Sequence, residues 1–250
     1  MPISNHRGNF RFTKGSAFYA SAVTADAGFE IIRAIFERPV PLGAGFEAIQ
    51  QKLKSHGRPV QALCGMELRA PAPYPNRLLF MEFNAMYVER LRGLDLLVEG
   101  LVPITRANLA VTDGSVSEQC VYAFLYTVPS RVNRPTFATS AAADLRFKPD
   151  GTPENVAAGD TSAEGLREKV SFVARVVDGK LQEIAASWDL ATQIRIYTVH
   201  QIGALFPEVI LPLAGSGARH GLTWHYVRPP VEGLEVEIDV RGILQEVAIE

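Results

Sequence analysis

Phe18–Asp26 reads FYASAVTAD, and Pro135–Asp144 reads PTFATSAAAD. Phe18 answers to Phe137 and Ser21 to Ser140 at one offset, so a similar small-residue strand opens two successive stretches of the chain. The elements after each copy come in the same order. After the first, GFEIIRAIF reads as a strand, and the turn holding Ala25, Asp26 and Gly28 predicts that it pairs antiparallel with the strand in SAFYASAV. In PLGAGFEAIQQKLKSHG, Phe46, Ile49 and Leu53 make the stripe of an amphipathic helix that stops at Gly57. Val60–Leu68 reads as a strand and Leu78–Leu91 as a second helix, with Phe80, Phe83, Tyr87 and Leu91 on one face; strands Arg106–Val111 and Cys120–Val128 come next. After the second copy, the capping signal Thr161–Glu164 opens a long helix in which Leu166, Val170, Val173, Val177, Leu181 and Ile184 keep helical spacing. A strand Thr192–Val199, a short helix Gln201–Leu211 and strands Leu222–Val227 and Leu234–Val240 close it.

Strand, helix, strand, helix, strand, strand thus occurs twice. The expectation is two tandem domains, residues 1–128 and 129–250, joined through PSRVNRP, with a long surface loop at about 145–163 that is dense in Pro, Gly, Asp, Asn and Ser. Antiparallel closing strands with helices on one face make the class α+β.

Of the 250 residues 47% are hydrophobic and 21% charged, enough apolar material for a sizeable core. With 25 basic against 27 acidic residues and no Lys/Arg run, the chain carries no electrostatic footprint for nucleic acid or an anionic membrane. Two cysteines, Cys64 and Cys120, are too few for a disulfide framework, and MPISNHRGNFRFTKG has no apolar stretch of a signal peptide. A cytoplasmic protein with reduced thiols is expected.

Phosphate loops, a GxGxxG before a helix, HExxH, zinc-spaced cysteines and a GxSxG elbow are all missing from the sequence. Any chemistry is therefore expected to proceed without a metal or dissolved cofactor. Arg106 opens a strand in PITRANLAV, where a guanidinium can fork onto a carboxylate; a solvated surface arginine is the competing reading. LEVEIDVRG alternates strictly. Leu234, Val236, Ile238 and Val240 face a core, while Glu235, Glu237, Asp239 and Arg241 face either solvent or another domain, where a desolvated carboxylate could serve as a base. TWHYVRPPVEG brings Trp224, His225 and Arg228 within five residues, and His225 is a candidate proton shuttle. His200 sits at a strand-to-helix junction, as a cap or a site residue. Cys64, Glu67 and Arg69 share a strand; Glu67 and Arg69 either pair with each other or serve a site, and Cys64 is either a small buried hydrophobe or a nucleophile.

At these residues the chain resembles the Rid/YjgF family of imine and enamine deaminases, which have a chorismate mutase-like fold. FNAMYVERL looks like the family's Phe-Asn-x-x-Tyr helix, TRANLAV like its Arg-strand, and VEIDVRG like its closing acidic strand, with Glu237 at the catalytic carboxylate. The halves depart from the pattern in opposite ways. CVYAFLY in the first lacks the acid, and the second has His220 or Gly221 near the Arg position, with Arg219 in reach only by a slip. Sites of this family lie between neighbouring domains of a trimeric ring, which implies that Arg106 and Glu237 complement each other across an interface and that the chain forms a homo-oligomer, most simply a trimer.

A narrower resemblance, in CGMELRAPAP, DTSAEGLREK, IYTVH and GLTWHYVRPPVEGLEVEIDVRG, is to two-domain deaminases of 2-aminomuconate and 2-amino-5-chloromuconate. It implies hydrolytic release of ammonia from an enamine carboxylate in aromatic-amine degradation. Arg106 would anchor one carboxylate, Arg228 or Arg69 the other, and Glu237 with His225 would move protons; Glu67, His200 and Trp224 complete the implied substrate-binding set. A non-catalytic ligand-binding or regulatory protein, or a general 2-aminoacrylate imine hydrolase, stands as the alternative.

Overall fold

The computed structural model describes residues 1–249. In chain order the elements are β1 (Ile3–Asn5), β2 (Phe10–Lys14), β3 (Ala20–Ala25), β4 (Phe29–Pro41), α1 (Leu42–Ser55), β5 (Leu63–Ala70), α2 (Arg77–Gly93), β6 (Thr105–Ala110) and β7 (Cys120–Pro129). The second half adds β8 (Phe137–Thr139), β9 (Ala142–Ala143), β10 (Leu145–Phe147), β11 (Pro153–Asn155), α3 (Ala163–Glu183), β12 (Gln193–Tyr197), α4 (Leu211–Ala214), β13 (Thr223–His225), β14 (Glu237–Gly242) and β15 (Glu246–Ile249). Helices and mixed sheets in this arrangement make the class α+β. No helix among the described residues is long and apolar enough to cross a membrane.

Two large sheets carry the fold. One runs β15-β4-β7-β5-β6; the other runs β1-β2-β3-β8-β14-β12-β13, with β9 also on β14. The sheets do not respect the boundary at 128/129. β3 pairs antiparallel with β8, so the amino-terminal strands extend the second half's sheet, and β15 pairs parallel with β4, so the carboxyl-terminal strand extends the first half's. The expected antiparallel pairing of β3 with β4 does not form. Gly28, at φ +84°, turns the chain out of one sheet, and β4 pairs with β7 instead.

Apolar alternation places the helices. Phe46, Ile49 and Leu53 of α1 and Phe83, Tyr87 and Leu91 of α2 pack on Met66, Leu68 and Phe124. Val170, Val173, Val177 and Leu181 of α3 pack on Ile194, Ile196, Val236, Ile238 and Val240. Asn76 caps α2 by accepting from Leu79 N, and Ser162 caps α3 by accepting from Gly165 N. The inner faces of the two sheets meet in a layer that includes Phe12, Val23, Ile31, Leu125 and Ala138.

Three local expectations change. Gln201–Leu211 is no regular helix; Pro207 and Pro212, which lack an N–H, and Gly215 and Gly217 break 206–220 into a π turn, the single turn α4 and a 3-10 stretch. The loop at 145–163 contains the β10–β11 hairpin. The closing strand starts at Glu237 rather than Leu234, because Asp144 Oδ1 accepts from the Glu235 and Val236 amides and Asp144 N donates to Val236 O.

Candidate active site

The polar face of LEVEIDVRG is buried against the first half's sheet rather than solvated. Glu67, 1% exposed, receives Arg33 Nε at 2.6 Å and Arg195 Nη1 at 2.9 Å, and Arg241 Nη1 also donates to it. Asp239 accepts from Arg195 Nη2 and Arg241 Nη2, each at 3.1 Å, and from Tyr197 Oη at 2.7 Å. Although burial pushes the other way, the surrounding guanidinium charges hold both carboxylates below their ordinary range. This network fastens the sheets together, and none of these residues lines the cleft beside it.

That cleft, of about 720 Å³, is walled by β6, α3, the segment 141–147 and β14, and it contains both Arg106 and Glu237. Arg106 projects from β6 beneath α2. Its carbon ζ lies 5.0 Å from the ring centre of Tyr87, 5.3 Å from Tyr19, 5.6 Å from Phe80 and 5.8 Å from Phe83. Nη2 donates to Asn84 Oδ1 at 2.6 Å, whereas Nη1, in a side chain 5% exposed, finds no acceptor among the described residues. Its backbone is fixed as well: Arg106 N donates to Ser140 Oγ at 2.8 Å and Ala141 N donates to Arg106 O.

Glu237 enters the same cleft from β14. Burial pushes its carboxyl up to about 8; Lys180 and Arg106 pull it down, and Asp144 and Asp239 push it further up. Lys180, on α3, donates to Ser140 O at 2.8 Å, and burial lowers its ammonium to about 8 against the opposing pull of Glu237. Ser140 therefore holds both the backbone of Arg106 and the side chain of Lys180. Burial thus raises the carboxyl and lowers the ammonium toward the same range.

The other sequence candidates lie elsewhere. His225 stacks on Tyr197 at 5.1 Å between centroids, and burial together with Arg195 and Arg69 lowers it to about 4. The ring is thus neutral across the physiological range, and it does not line the cleft that holds Arg106 and Glu237. Arg69 lies over Tyr122 at 4.3 Å and donates to Leu68 O, and Arg228 lies half-exposed 3.9 Å from Glu235. Trp224 Nε1 donates to Thr198 O at 2.9 Å, and His200 Nε2 meets Glu235 at 2.6 Å. The Cys64 thiol is fully buried and pushed far up by desolvation, the state of an inert hydrophobe.

Sequence reading placed Asn84 in the FNAMYVERL motif without a role, and it missed Lys180, Tyr19 and the cleft cations Lys14, Arg146 and Arg175. One signal was present: Lys180 adjoins the buried stripe Val173, Val177, Leu181, where a lysine needs a reason.

Glu237, Lys180 and Arg106 thus line one cleft, with one nitrogen of the guanidinium unpaired among the described residues. The chain belongs to the 2-aminomuconate deaminase CnbZ family, whose profile matches residues 2–247. It is 37% identical over 246 residues, 97% of this chain and 96% of the relative, to the 2-amino-5-chloromuconate deaminase of Comamonas testosteroni. Membership supports an enzyme that acts on a C–N bond. Among solved structures, a chorismatase matches with a TM-score of 0.48 at 12% identity over 96% of this chain and 79% of that one. A Rid-family protein of unknown function from Yersinia pestis matches with a TM-score of 0.30 at 18% identity over 47% of this chain and 84% of that one.

Proposed function

We propose that the chain is a hydrolytic deaminase of an enamine dicarboxylate, 2-aminomuconate or its 5-chloro analogue. The observation that carries this reading is the shared cleft in which the unpaired Nη1 of Arg106 and the protonated carboxyl of Glu237 both stand. Arg106 binds one substrate carboxylate through a charge-assisted hydrogen bond. The second carboxylate meets Arg175, which lines the α3 wall of the cleft.

Glu237 then donates its proton to the enamine carbon, so the C=C pair becomes a C–H bond and the nitrogen becomes an iminium. Water attacks the iminium carbon while the Glu237 carboxylate takes one of its protons, giving a carbinolamine and restoring the acid. A proton passes from the hydroxyl to nitrogen through Lys180, the C–N bond breaks, and ammonia leaves a 2-oxo acid. Enamine plus water thus gives ketone plus ammonia, with both protein groups returned to their starting state. The fixed charge of Arg106 and its ring cage hold the substrate without reorganisation.

The test is ammonia release from 2-aminomuconate beside 2-aminoacrylate generated in situ. Stoichiometric ammonia from the first, slowed at least about a hundredfold by Glu237→Gln, is expected. Release from 2-aminoacrylate alone, or none from either, overturns the reading.

A further inference from the structure

Asn108 stands two residues beyond Arg106 on the same face of β6 and lines the same cleft. Its side chain is 4% exposed, and its Nδ2 has no hydrogen-bond acceptor among the described residues. An unsatisfied buried amide is destabilising, so the position calls for an acceptor.

The amide cannot relieve this by turning over, because its orientation is dictated from behind. The Arg69 carbonyl oxygen can only accept, so the Gln119 atom 3.2 Å from it is Nε2. Tyr74 Oη donates to the Gln119 oxygen at 3.1 Å, consistent with the same orientation. Gln119 Nε2 also donates to Asn108 Oδ1 at 2.9 Å. Asn108 is thereby obliged to present its oxygen to Gln119, which leaves its NH2 group as the unpaired end of a residue that lines the cleft.

We propose that Asn108 Nδ2 is the second donor of a carboxylate clamp whose first donor is Arg106 Nη1. Residues two apart on a strand share a face, and a carboxylate has two oxygens, each able to accept a bond of about 2.9 Å. One arm of the Arg106 fork is already committed to Asn84, and the asparagine supplies the donor that a free fork would have given. Singly, each unpaired donor is a defect in a buried wall. Together they match one planar anion, and Gln119 and Tyr74 act as positioning residues that keep the amide facing it. The inference rests on the proposed reading of the cleft as the substrate site and adds to it the group that selects for a carboxylate.

The test is calorimetric titration with trans,trans-muconate, an inert diacid of six carbons, into the full chain and its Asn108→Asp variant. That substitution keeps the shape and the Gln119 contact but replaces the donor with an acceptor. Muconate affinity is expected to fall at least about thirtyfold, with the thermal midpoint close to that of the parent. If that variant does not fold, Asn108→Ala, which adds no charge, is expected to lose about tenfold. Affinity within threefold of the parent in a folded variant, or a parent that does not bind muconate, overturns the clamp. A parent that binds muconate in an Asn108-dependent way but releases no ammonia from 2-aminomuconate keeps the clamp and loses the reaction. Turnover with Asn108-independent binding does the reverse.

Discussion

Arg106 and Glu237 come from different sheets and different halves of the chain, yet they line one cleft, where the guanidinium pulls the carboxyl's pKa below the level burial alone would set. The two groups have separable duties. On the proposed reading, replacing Arg106 by Ala removes a charge-assisted hydrogen bond to substrate, about 1.5–3 kcal/mol, so KM is expected to rise roughly tenfold to a hundredfold. Arg106→Lys keeps the charge but loses the planar contact with Asn84 and the rings, and it should recover little of that loss. Steady-state ammonia release measures both.

Glu237 is expected to act as an acid in the first step, so the rate should track its protonated form. With the carboxyl raised to about 8, kcat/KM is expected to stay level through neutrality and fall above about pH 8. Glu237→Gln should lower kcat by about a hundredfold to ten-thousandfold and remove that alkaline fall. A pH–rate profile that keeps its alkaline fall in the variant would assign it to another group.

The same residue predicts how stability changes with pH. Its ordinary pKa is 4.5, and in the fold it is about 8. Between those values the folded chain holds a proton that the unfolded chain has released, so this group makes stability fall as the pH rises from about 4.5 to 8. Glu237→Gln should flatten that part of the curve in urea denaturation. Lys180 is lowered to about 8 from 10.5 and contributes with the opposite slope at higher pH.

The local half of this architecture was readable and the long-range half was not. Periodicity found α1, α2 and α3 because Phe46, Phe83 and Val173 each sit in a stripe that solvent cannot share. Strand partners obey no such rule. Ala20–Ala25 is buried along its whole length and pairs with Phe137–Thr139, a choice set by which distant surface it must cover. The alternation of LEVEIDVRG showed that Glu237 and Asp239 share a face but not that Glu67, Arg33 and Arg195 wait opposite. Arg106 could be singled out because a strand-opening arginine invites a chemical question. Asn108 could not, because its unpaired amide exists only after Gln119 has been folded behind it.

Lys180 separates a tuning role from a structural one. Its charge pulls the Glu237 carboxyl down, so Lys180→Met, which also removes the proposed proton relay, should lower the rate and move the alkaline fall in kcat/KM to higher pH. A lysine needed only for its bond to Ser140 O would lower the rate at every pH and leave the position of the fall unchanged. The pH–rate profile of the variant tells these apart.

Glu67 carries the junction of the sheets, and its removal tests whether that junction is separate from the chemistry. Arg33, Arg195 and Arg241 all donate to it from strands of both sheets, and it lies outside the cleft. Breaking a buried charge pair from one side costs about 3–5 kcal/mol, because the arginines keep their charge without a counter-ion. Glu67→Gln is expected to lose stability of that order in guanidinium titration while leaving KM near the parent value in the folded protein. The sign with pH is the reverse of that for Glu237. The Glu67 carboxylate is held well below 4.5, so its contribution is complete above the unfolded pKa and disappears as the pH falls through the folded value. The parent should therefore lose stability steeply in acid, and the variant, already without that contribution, should show a shallower acid limb. A large rise in KM at full stability would instead bind the network to the site.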